Sequence, residues 1–284
     1  MALHHRHAYG DSALCMADVE AIYKEMVESG RTSHIIRDDA EYLLEHLQIG
    51  DPNIDQLLGS TLCLPRATLL YGAAGTGKTL FSIQAAICSL KKRPFSYRVA
   101  FFTTDGPFPS KRLFQLQATR NNPSLLDRFF IFEIRSSSEL ISFLKYFLPV
   151  WCADELLIIV DNITSLIRFS VDLHEISVDL PKAIHFARTR MRCTFIFVSQ
   201  IKAIVDGTSS LESSAPAIHP SLISNGHLFD QKIELILEPS CAQREKNKRI
   251  LFHPTLGSVA CPSSGSLPSI SYVIDEQTGF TSIS

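Results

Sequence analysis

The sequence predicts an α/β fold built around a glycine-rich strand-to-helix loop, with a mainly parallel sheet covered by helices on both faces and antiparallel strands towards the C-terminus. Three observations predict it. Short, nearly continuous apolar segments alternate with helical ones from residue 68 to residue 198. The first of them, Thr68 to Tyr71, runs straight into Gly72-Ala73-Ala74-Gly75-Thr76-Gly77-Lys78-Thr79, a G-x-x-x-x-G-K-T loop. After residue 200 the helical periodicity stops and only strand-like runs remain. Strands that are apolar on both faces belong to parallel sheets sandwiched between helices, and ligands of such sheets sit at the carboxyl ends of the strands.

Taken in order, the first 48 residues read as a short helical segment and linker, too small for an independent domain, and 49–284 as the core. Val19, Ile22, Tyr23 and Met26 share one helical face, and Leu43, Leu44 and Leu47 suggest a second short helix. His4, His5 and His7 read as a solvated start rather than a metal site. Asp51-Pro52 forms a helix cap followed by proline at the first helical position, with Ile54, Leu57 and Leu58 buried and Gly59 closing the helix. Strands are expected at 68–71, 98–103, 129–134, 156–160 and 194–198, and helices at 78–91, 110–118, 138–148 and about 180–191. Residues 232–238, 249–253 and 270–275 then read as an antiparallel run that extends the sheet.

Composition bounds the function. With 284 residues, 45% of them hydrophobic, the chain can bury a full α/β core. A net charge of −2 excludes a protein that grips nucleic acid by bulk electrostatics. Seven scattered cysteines with no C-x-x-C pair read as reduced thiols of an intracellular protein. The longest aliphatic run, Leu156 to Val160, is too short to span a bilayer, so no membrane partner is expected.

Chemistry concentrates at strand ends. The glycines allow positive φ and turn main-chain N–H groups inward at a helix start, a concave anion site suited to the phosphates of ATP or GTP. Lys78 would reach the β and γ phosphates, and the Thr79 hydroxyl would ligate Mg²⁺. Asp161 ends an aliphatic strand, where a turn-forming aspartate is common. In series with the glycine loop it is the favoured second Mg²⁺ ligand. Asp105, within Thr104-Asp105-Gly106-Pro107, follows the strand at 98–103, and on its own residues it reads as a turn former.

The segment Thr104-Asp-Gly-Pro-Phe-Pro-Ser-Lys-Arg-Leu113 resembles the strand-end motif of the RecA-type recombinases, and most of all that of the eukaryotic mediator paralogues, the branch of Rad fifty-seven and X-ray repair cross-complementing protein three. Further stretches are similar to that family: 49–59 to the helix leading into its core, Val160-Asp-Asn-Ile-Thr-Ser-Leu-Ile-Arg168 to its metal strand, Ser199-Gln200-Ile201 to its Asn-Gln-Val, 203–207 to the start of its second DNA-facing loop and 272–279 to its last strand and turn. The resemblance implies a RecA-like ATPase core binding ATP and Mg²⁺, with Gln200 sensing the γ-phosphate. It further implies related paralogue subunits and the strand-exchange recombinase as partners, single-stranded DNA as a weak ligand, a role in homologous recombination, and the nucleus as location.

Departures from the family pattern set further expectations. Where the strand-exchange enzymes have a water-polarising glutamate, this chain has Asp105, one methylene shorter, so hydrolysis is expected to be slow or absent. The presumed DNA-facing loops carry little positive charge: Arg168 and Lys182 face Asp172, Glu175 and Asp179, and Lys202 faces Asp206 and Glu212. Arg244, Lys246, Lys248 and Arg249 form the best basic candidate, at an expected hairpin tip that reads equally as a solvated loop guarding strand edges, and Lys91-Lys92-Arg93 reads as a helix C-terminal cap rather than part of a nuclear import signal. The upstream polymerisation hook of the family is replaced by Arg31-Thr-Ser-His34. A small-molecule or nucleotide kinase and a structural subunit with a relic nucleotide site are the rival classes.

Overall fold

The computed structural model describes residues 48–59, 67–92, 96–151, 155–170, 172, 174–200, 228–237, 248–254, 269–275 and 279–282. The expected N-terminal helices, the three early histidines, the stretch 31–34, the side chain of Leu57 and the segments 201–227 and 238–247 lie outside them.

Helix α1 (Pro52–Gly59) starts where expected: Asp51 Oδ1 accepts from the backbone N–H groups of Asn53 and Ile54, both at 3.0 Å. Strand β1 (Ala67–Gly72) leads through the glycine loop into α2 (Lys78–Lys92), which ends on Lys91 and Lys92, placed to meet the negative end of its dipole. Next come β2 (Arg98–Thr103), the short helices α3 (Ser110–Gln115) and α4 (Gln117–Asn121), a 3₁₀ turn and β3 (Phe129–Glu133). Helices α5 (Ser137–Ser142) and α6 (Leu148–Trp151) precede β4 (Leu156–Asp161). Helices α7 (Ile163–Phe169) and α8 (Leu180–Arg190) precede β5 (Cys193–Gln200). The last strands are β6 (Gln231–Leu237), β7 (Lys248–Pro254), β8 (Ser269–Asp275) and β9 (Gly279–Ser282).

These strands form one nine-stranded sheet in the order β3-β2-β4-β5-β1-β6-β7-β8-β9. Side chains along β4 divide between two cores: Leu156, Ile158 and Val160 pack on one face with α5, α7 and α8, while Leu157 and Ile159 pack on the other with α2. That double burial is why the strand is aliphatic at every position. The parallel half therefore matches the sequence pattern. The C-terminal run does not match it throughout. β6 pairs parallel with β1, from Thr68↔Gln231 to Gly72↔Leu235, and the antiparallel direction begins only with β7. Lys248 and Arg249 are already ladder residues of β7 rather than hairpin-tip residues.

The expected helix at 138–148 is interrupted, and the one expected from about 180 is preceded by an extra turn, for one shared reason. The residues Phe143–Phe147 and Glu175–Asp179 widen into π-helical turns, and each is followed by Leu-Pro. Proline has no N–H to give and its ring crowds the carbonyl four residues back. The ladder shifts to five-residue bonds, Leu148 N–H to Phe143 O and Leu180 N–H to Glu175 O, and the helix continues past Pro149 and Pro181. The expected helix at 110–118 likewise divides into α3 and α4, because Leu116 between them is extended.

Candidate nucleotide-binding site

The carboxyl ends of β1, β2, β4 and β5 lie side by side, and register brings the sequence candidates to one rim. Gly72 faces Gln200 across β1 and β5, and Thr103 faces Asp161 across β2 and β4. In the loop between β1 and α2, Gly75 has φ +80° and Gly77 φ +94°, conformations that side-chain-bearing residues rarely adopt. At Gly72 the reason for glycine is space: a Cβ there would lie 2.2 Å from the Leu235 carbonyl oxygen of β6. The loop is tied internally by Thr76 Oγ1 donating to Ala73 O at 3.0 Å.

Lys78 folds back over this loop, its ammonium donating to the carbonyl oxygens of Gly72 (2.8 Å) and Ala73 (2.7 Å). Burial holds its pKa down to about 8, and the nearby Asp161 carboxylate opposes the shift. The Thr79 hydroxyl donates to Asp161 Oδ2 at 2.5 Å. Burial raises the pKa of Asp161; the Thr79 hydrogen bond and Lys78 work against that, and Asp105 reinforces it. A hydroxyl and a carboxylate in contact form a hard, all-oxygen donor pair that suits Mg²⁺, which takes one or two protein oxygens together with phosphate and water. Among the described residues no cluster of three His, Cys, Asp or Glu offers another metal site, and no helix is long and apolar enough to cross a membrane.

Asp105 is exposed at the end of β2 and is held from the neighbouring strand: Asn162 Nδ2 donates to its Oδ2 at 3.2 Å. Asn162 Oδ1 in turn accepts the Thr164 N–H at 2.9 Å and caps α7. Thr104 Oγ1 accepts the Asn162 N–H and donates to the Asn162 carbonyl, both at 2.9 Å, locking the two strand ends together. No local pattern assigns Asn162 a role in the site. Its one local signal is an Asn between an aliphatic strand and a helical run, a cap signature; its grip on Asp105 spans 57 positions and has no local trace. Gln200 ends β5 with an exposed side chain, and its N–H donates to Thr164 Oγ1 at 3.4 Å, which also contacts Ser199 Oγ at 2.9 Å. The candidates Gly72 to Thr79, Asp161, Asp105 and Gln200 thus share one rim. The proposed loops at 201–225 and the basic residues Arg244 and Lys246 lie outside the described residues.

No protein-family model matches the chain. Sequence relatives exist nonetheless. The chain is 31% identical over 141 residues to the DNA repair and recombination protein RadB of Thermococcus gammatolerans, covering 48% of this chain and 60% of that protein. It is 34% identical over 92 residues to the mouse DNA repair protein XRCC3, covering 30% of this chain and 26% of that one. Over these segments the chain is similar to the RadB and XRCC3 repair and recombination proteins. The match spans no more than 60% of the length of these curated relatives. A crystal structure of the RadB recombinase superposes with a TM-score of 0.58 at 20% identity, over 84% of this chain and 100% of that one, which establishes a RecA-like fold.

Proposed function

We propose that this chain is an ATP- and Mg²⁺-binding recombinase paralogue that assists the strand-exchange recombinase on single-stranded DNA, together with related subunits, in homologous recombination in the nucleus. The observation that carries the reading is the convergence of the glycine loop, Lys78 and the Thr79–Asp161 pair at one sheet rim, in a chain similar to repair and recombination proteins. Main-chain N–H groups of Gly72 to Thr79 would cradle the phosphates, Lys78 would exchange its loop carbonyls for phosphate oxygens, and Thr79 with Asp161 would hold the metal. Bound Mg²⁺ supplies charge neutralisation between the phosphates.

Asp105, tethered by Asn162 and one methylene shorter than glutamate, is poorly placed to pull a proton from an attacking water. Nucleotide therefore acts mainly as a clamp between subunits, with slow hydrolysis. Affinity purification from native cells with and without ATP, read by mass spectrometry, tests the role. Recombinase-type partners retained more strongly with ATP support it. A partner set of metabolic enzymes, with phosphorylation of an added small metabolite, would replace it with a kinase reading. Purified alone, the chain should bind single strands weakly with a shallow salt slope; tight, steeply salt-dependent binding would contradict the mediator role.

A further inference from the structure

The β8–β9 hairpin lies against the floor of the glycine loop, far away in sequence. Tyr272 is 1% exposed, and its hydroxyl donates to the Thr76 carbonyl oxygen at 2.7 Å across 196 positions. Its ring stacks on Phe280 (centroids 4.7 Å apart, 26° between planes), and Phe280 meets Phe81 of α2 edge-on at 5.4 Å. A Cβ at Gly77, which has φ +94°, would lie 2.4 Å from Ile274 Cδ1 and 3.0 Å from Phe280 Cζ, so the hairpin side chains would have to shift to admit it. The hairpin is anchored independently of the loop: the Phe280 N–H donates to Gln84 Oε1 at 2.7 Å, and the Ser282 N–H and hydroxyl both donate to Asp51 Oδ2, at 2.8 and 3.1 Å.

We infer that Tyr272 is a positioning residue for phosphate binding, setting the direction of the Thr76–Gly77 peptide. A trans peptide is planar with its C=O and N–H pointing opposite ways. Holding the Thr76 carbonyl towards the Tyr272 hydroxyl therefore turns the Gly77 N–H away from the hairpin, to the side from which the loop would receive a phosphate. Without the hydroxyl, a glycine-flanked peptide is able to rotate, and binding must then restrict it again. The inference rests on the nucleotide reading for its ligand, but the hold on the loop stands apart from it. By reciprocity, a ligand that needs this peptide orientation also tightens the hairpin.

The test is Tyr272→Phe, which keeps the stacked ring and removes only the hydroxyl. Two measurements are made well below the melting temperature: hydrogen exchange by mass spectrometry over residues 73–81, and equilibrium binding of mant-ATP with Mg²⁺. Exchange in 73–81 should speed up relative to the wild type while segments of β4 and β5 stay unchanged, and mant-ATP affinity should fall by roughly three- to ten-fold, the net value of one buried hydrogen bond. Unchanged exchange in 73–81 overturns the inference, as does faster exchange with affinity within two-fold of the wild type. If the wild type binds no mant-ATP, the nucleotide reading falls, and the exchange result alone decides whether Tyr272 holds the loop.

Discussion

Raising the pH through 8 should weaken nucleotide binding by an amount that follows from Lys78. Burial has lowered its pKa to about 8, the Asp161 carboxylate opposing the shift, because two loop carbonyls replace water only in part. The sign is fixed by the ligand: a phosphate stabilises the charged ammonium, so binding raises the pKa of Lys78 and takes up a proton above pH 8. With a pKa of about 8, roughly nine-tenths of the loops carry a charged lysine at pH 7 and one-tenth at pH 9. Affinity should therefore be flat up to about pH 7.5 and fall about tenfold by pH 9, about 1.4 kcal/mol. The phosphate's own last proton, with a pKa near 6, is already gone across this range. Calorimetric titration of ATPγS with Mg²⁺ in two buffers of different ionisation enthalpy reads both the affinity and the proton uptake. Lys78→Arg keeps its charge and should lose the slope. A wild-type affinity that stays level from pH 7 to 9.5 with no proton uptake would refute the reasoning.

Further outcomes follow from single contacts. Asp105→Glu should raise the ATPase rate in a steady-state assay with single-stranded DNA; a fall would mean that Asp105 already serves as an effective base. Asn162→Ala removes the cap of α7 and the tether of Asp105, and should cost about 1 kcal/mol in urea denaturation with an unchanged m value. Phe280→Ala empties a site that is 2% exposed between Tyr272 and Phe81, and should cost about 3–5 kcal/mol in the same experiment.

The parallel half of the sheet was readable in the sequence because its central strands are buried on both faces and its longer helices carry a periodic apolar stripe. Asp161 and the glycine loop were readable for a related reason, since both sit directly after such strands. Pairing direction is not local: β6 looks like β7 and β8 in its residues, yet it lies parallel to β1, and Asp230 at its start accepts the Ala67 N–H and pairs with Arg188 at 2.6 Å. The π-helical turns were invisible to apolar spacing, although the Leu-Pro that follows each was in plain view. Gly77 reads as a residue needing positive φ, but the packing of Ile274 and Phe280 beneath it is a long-range fact. So is the Tyr272 hydroxyl on Thr76.

Whether this rim holds a metal-bound triphosphate is decided by titrating ATPγS into the wild type and into Lys78→Ala, each with and without Mg²⁺. Mg²⁺-dependent binding by the wild type that disappears in Lys78→Ala is the expected result. Equal affinity in the two proteins, or no binding by the wild type at all, would contradict it.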